Sequence, residues 1–128
     1  VIADAQLTSV AADLRAAANV IRGRGRAVSK FVDVATGAVC LLGAIRVAIT
    51  GDPCPSHGQL DLATLKRINR ADLATDAYVT RHRLARFRAT ATTPAAAWSD
   101  RVASSAGEVA ELLEAVAAEL DTRAEVAR

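Results

Sequence analysis

Aromatic residues are nearly missing from this chain: 128 residues include two phenylalanines, one tyrosine and one tryptophan, 3% in all. A broad aromatic binding floor is thereby excluded, and alanine, valine and leucine are left to fill the interior, a mix that suits closely packed helices. Cysteine occurs only twice, at Cys40 and Cys54. Two thiols are too few for a secreted disulfide framework, and in a reducing compartment both are expected to be free. Long hydrophobic runs are also lacking. The longest apolar block, 38–49, is interrupted by Arg46 and falls short of the roughly 20 residues of a membrane-crossing helix. No basic region followed by an apolar run opens the sequence, so no export signal is expected. A cytoplasmic location without a membrane partner follows by default.

What is present is aliphatic and basic in the middle. Hydrophobic residues make up 52% of the chain, and its length is enough for one helical domain, 1–128, to build its own core. The net charge of +2 hides an asymmetry: residues 15–88 carry 13 basic and 5 acidic side chains, whereas 89–128 carry 3 and 7. Arginine outnumbers lysine 14 to 2, a bias that by itself reflects genome composition more simply than function.

The spacing predicts a bundle of four to five helices. Leu7, Val10, Leu14, Ala17 and Ile21 recur in steps of three and four, giving a first helix over about 4–22 with Asp13, Arg15 and Asn19 toward water. Gly23 and Gly25 stop it. Phe31, Val32 and Val34, with a turn at Thr36-Gly37, leave room for a short β-hairpin. Residues 38–49 are apolar nearly all round, as in a central helix packed on several sides, and Gly51 closes it ahead of a Pro-flanked loop over 52–58. Helical spacing over 59–88 reads either as one helix or as two broken near Asn69–Ala71. A threonine- and alanine-rich connector, 89–97, then leads to a last helix signalled by Ser105 and Glu108 in capping-box spacing, with fraying expected after Asp121.

Three segments together, Ala11–Gly23, the Gly37–Arg46 run containing Cys-Leu-Leu-Gly-Ala-Ile, and Trp98-Ser99-Asp100 with the helix that follows, carry a resemblance. The chain resembles a family of small uncharacterised helical proteins of actinobacteria and their phages. The resemblance implies a helical cytoplasmic protein and supplies no catalytic residues. Members often carry a tryptophan after the first helix and an asparagine inside the Trp-x-Asp motif; here those regions hold Arg24 and Arg26, and Ser99.

Each residue that could carry chemistry has a plainer alternative. Cys40 stands near the start of the central helix, where the helix dipole would favour a thiolate, making it the one candidate for a catalytic nucleophile or thiol carrier; the alternative is a small apolar filler beside Gly43. Cys40, Cys54, His57 and His82 are the only thiols and imidazoles and could together surround a zinc ion, but the paired short spacings of zinc modules are lacking. No metal or other cofactor is expected. Arg81, Arg83, Arg86 and Arg88 form the densest basic stretch, which on a helix would offer a phosphate-binding patch; the alternative is a helix paired with the acidic last one. Trp98 reads as a core plug or interface anchor and Asp100 as its polar neighbour. The reading that fits best is a non-enzymatic interaction or accessory protein, with self-association its most economical form and nucleic-acid binding the less favoured rival.

Overall fold

The computed structural model describes residues 4–84 and 93–127, and among them the chain folds as five α-helices: α1 (Asp4–Arg24), α2 (Leu41–Thr50), α3 (Leu62–Arg81), α4 (Pro94–Arg101) and α5 (Ala106–Ala127). The all-α expectation holds.

The two longest helices, α1 and α5, make the most extensive helix pair. The stripe foreseen on α1, Leu7, Val10, Leu14, Ala17 and Ile21, is buried against Val109, Leu113, Val116, Ala117 and Leu120 of α5 and the rest of the core. Each of the valine, leucine and isoleucine side chains contributes about 1.5–3 kcal/mol on burial, and each alanine less. Two ion pairs set the register. Arg15 meets Asp121 and Arg22 meets Glu114, so a seven-residue advance along α1 matches a seven-residue retreat along α5, as antiparallel packing requires. Exposed pairs of this kind add little stability, but they discriminate against a shifted register. The contact does not fray at Asp121: α5 continues to Ala127 and Ala124 is buried.

α2 packs on α1 and also meets α3 and α4, with Leu41, Ala44 and Ile45 fully buried. Gly51, at φ +84°, ends it by returning its N–H to Val47 O. No hairpin precedes α2 among the described residues. Instead Val39 makes isolated bridges to Arg26 and to Val32, tying the 26–40 loop down on the start of α2. Gly43 makes this possible: a Cβ there would stand 2.1 Å from the Phe31 carbonyl oxygen.

α3 is one helix without a break at Asn69–Ala71. Asp61 caps it by accepting the Thr64 N–H, and Ile68, Ala71, Thr75 and Val79 keep a single buried face across the expected break. The helix stops at Arg81. Arg83 then takes a left-handed conformation, φ +54°, and Leu84 N–H returns to Val79 O. In α4, Pro94 sits in the first turn behind the Thr93 cap, where its missing N–H costs nothing, so residues expected in a connector are helical.

Two charges expected in water or in an apolar helix face lie inward. Asp13 is buried and receives both Nε and Nη2 of Arg67. Arg46 forms a bidentate pair with Asp72, bonds Leu42 O, and stands 5.1 Å over the Phe31 ring. Both side chains of the Arg46–Asp72 pair are largely shielded, at 10% and 19% exposure.

Candidate functional site

Of the densest basic stretch of the sequence, Arg81 and Arg83 fall among the described residues. Arg81 ends α3 and pairs with Glu119 of α5, as in the helix-pairing alternative. Arg83 is exposed in the turn beyond the helix, so it cannot share a helical face with Arg81; its left-handed backbone has already redirected the chain. Arg86 and Arg88 lie outside the described residues. His82 is the C-cap of α3, its ring 4.1 Å from that of Tyr78.

Between α3 and α5 lies a groove of about 240 Å³ whose walls are Leu73, Ala74, Ala77, Val116 and Leu120. Arg70, Arg81 and Arg123 stand at its rim with Glu119. It exists because α3 touches α5 at few points while α1 and α5 pack along their length. Leu73, on the α3 wall, remains 57% exposed. The outward stripe of α3 continues from it through Lys66 to Leu62, which is also exposed. A leucine at helical spacing carries no mark in the sequence of which helix, if any, will cover it.

The Trp-Ser-Asp segment is a junction. Trp98 is buried in the core, and its carbonyl accepts the N–H groups of Val102 and Ala103 that end α4. Ser99, fully buried, accepts the Leu41 N–H through Oγ and the Arg26 guanidinium through its carbonyl. Thus it ties α4 both to the first turn of α2 and to the loop before it. The local sequence gives no signal for this role beyond a small polar residue next to the tryptophan. Asp100 faces a second cleft, which Cys40 also lines.

Cys40 caps α2 through its sulfur, which accepts the Gly43 N–H at 3.3 Å. The pull of the helix start toward a thiolate is opposed here. Burial pushes the thiol above its ordinary value, outweighing the backbone N–H groups of Gly43 and Leu42 that pull the other way. Cys54 is exposed in the loop after α2, and both cysteines are free. His57 opens the 3-10 turn His57–Gln59. Among the described residues no three His, Cys, Asp or Glu side chains gather as metal ligands.

A family model described as a family of unknown function (DUF6197) matches residues 5–119. The chain belongs to this family. The DUF6197 match runs from the first turn of α1 to Glu119 of α5 and so takes in the 26–40 loop, the Trp-Ser-Asp junction and most of the groove. Neither a curated protein nor a solved structure matches the chain. No helix among the described residues is long and apolar enough to cross a membrane.

Proposed function

We propose that this chain is a non-enzymatic interaction protein of the cytoplasm that associates with a second copy of itself at the groove between α3 and α5. The observation that carries the reading is Leu73, more than half exposed on an apolar wall with Arg70 and Arg123 at the rim. An amphipathic helix with small residues at its centre and carboxylates at its ends suits such a groove. The outward face of α5 is one: Glu111, Ala115, Ala118, Thr122 and Glu125 share that side, and all but Ala115 are exposed. A symmetric pair would use the same two faces twice, closing the assembly.

The rival readings have less behind them. Arg15, Arg22, Arg46, Arg67 and Arg81 each meet a carboxylate of this chain, so a nucleic-acid backbone would have to compete for them. A thiol-based activity would have to begin from a buried Cys40 whose thiol burial pushes above its ordinary value.

Sedimentation velocity over a range of concentrations tests the proposal. The wild type is expected to show a concentration-dependent dimer that weakens as salt screens the rim charges. Leu73→Glu should abolish it. Glu111→Lys with Glu125→Lys should weaken it, and Arg70→Glu with Arg123→Glu in the same chain should restore it. A wild type that stays monomeric throughout would overturn the proposal.

A further inference from the structure

A cleft of about 450 Å³ lies where the 29–31 turn, the first residues of α2 and the helix α4 meet. It lies apart from the α3–α5 groove. Its apolar lining comes from Phe31, Leu42, Ala96 and Ala97, and its charged groups are Lys30, Arg101 and Asp100. The volume lies in the range that encloses a small organic molecule. Two cations against one carboxylate give its mouth a net positive charge, and the start of α2 adds the positive end of a helix dipole.

The turn that carries Lys30 and Phe31 into the cleft is held in an unfavourable backbone. Ser29 has φ +61°, a conformation that costs a non-glycine residue about 1 kcal/mol. Flanking hydrogen bonds fix it there: Ala27 N–H to Val39 O on one side and Cys40 N–H to Phe31 O on the other. Strained non-glycine turns of this kind concentrate at ligand-binding positions. We infer that this cleft binds a small organic anion, a carboxylate or phosphate on a flat apolar body, with Lys30 and Arg101 holding the charge and Phe31, Leu42 and Ala97 covering the body. Asp100 opposes the anionic head and so selects against multiply charged ligands. The role assigned to the cleft is binding alone.

Titration of the full chain with benzoate, phenyl phosphate and the neutral benzamide, followed by amide NMR shifts, tests the inference. Both anions should move the resonances of residues 29–31, 40–42 and 97–101, and benzamide should bind about tenfold more weakly, as loss of a charge-assisted hydrogen bond implies. Lys30→Ala with Arg101→Ala, both at exposed positions, should abolish the preference for the anions while leaving the rest of the spectrum in place. Asp100→Asn should tighten binding of the doubly charged phenyl phosphate, a gain that mere loss of structure cannot produce. Shifts scattered over the surface, equal binding of benzamide, or an anion preference that survives the double substitution would each overturn it.

Discussion

Replacing Gly43 by alanine sets two effects of known size against each other. In an exposed helix the change would be stabilising by up to about 1 kcal/mol, from helix propensity alone. Here the new Cβ would lie 2.1 Å from Phe31 O, 3.1 Å from Phe31 C and 3.3 Å from the Val39 Cβ. The first contact is with backbone, so no side-chain rotation relieves it, and the Phe31 carbonyl must retreat by about 1 Å to reach van der Waals distance. That retreat breaks the bond from Cys40 N–H to Phe31 O, now 3.2 Å, at about 1 kcal/mol, and overpacking of this kind costs about 1–3 kcal/mol more. The net expectation is a loss of about 1–3 kcal/mol, or a fall in melting temperature of about 4–12 °C for a domain of this size. Thermal and urea unfolding monitored by circular dichroism would measure it. A melting temperature that rises would refute the claim that the loop before α2 is seated through this glycine.

Two further outcomes follow from the inward charges and the caps. Arg46→Met should destabilise the fold by about 3 kcal/mol in urea unfolding, because it leaves the shielded Asp72 carboxylate without its bidentate partner, whereas replacing both residues by leucine should recover much of the loss. On acidification, Asp61, Glu108 and Glu114 act together: hydrogen bonds from Thr64, Ser104 and Arg22 respectively hold each carboxyl below its ordinary value. Their contribution is therefore present above the ordinary carboxylate range and lost as pH falls through and below about 4. Asp76 opposes them, since burial raises its pKa and protonation there favours the folded state. Urea midpoints measured from neutral pH downward should fall below about pH 4; a midpoint that rises on acidification would mean that Asp76 outweighs the three caps and pairs.

The parts of the fold that periodicity governs were legible in the residues. Leu7 to Ile21 and Val109 to Leu120 mark the faces of α1 and α5, and Ser105 marks the start of α5 by accepting the Glu108 N–H, although the Glu108 carboxylate turns back to Ser104 instead of completing a capping box. What failed was the reading of punctuation. Asn69 looked like a break, yet an exposed asparagine is tolerated where Ile68, Ala71 and Thr75 bury the opposite face. Pro94 looked like a connector residue, yet in a first turn proline begins a helix. Arg83 ends α3 in a conformation that usually calls for glycine, so no residue announced the stop. The direction of charges was illegible for a different reason. Asp13 meets Arg67 across 54 residues and Arg46 meets Asp72 across 26, and no local spacing encodes a partner that only tertiary packing brings near. The same holds for the two candidate surfaces: Leu73 and Lys30 are unremarkable in sequence and acquire their setting from helices that pack elsewhere.

Native mass spectrometry of the protein purified from its own host tests the central claim most directly, since one spectrum reports subunit count together with any bound metal or small molecule. Self-association through the α3–α5 groove predicts a species of twice the chain mass that Leu73→Glu converts to single chains. A wild type seen only as single chains, whatever the concentration sprayed, would contradict it.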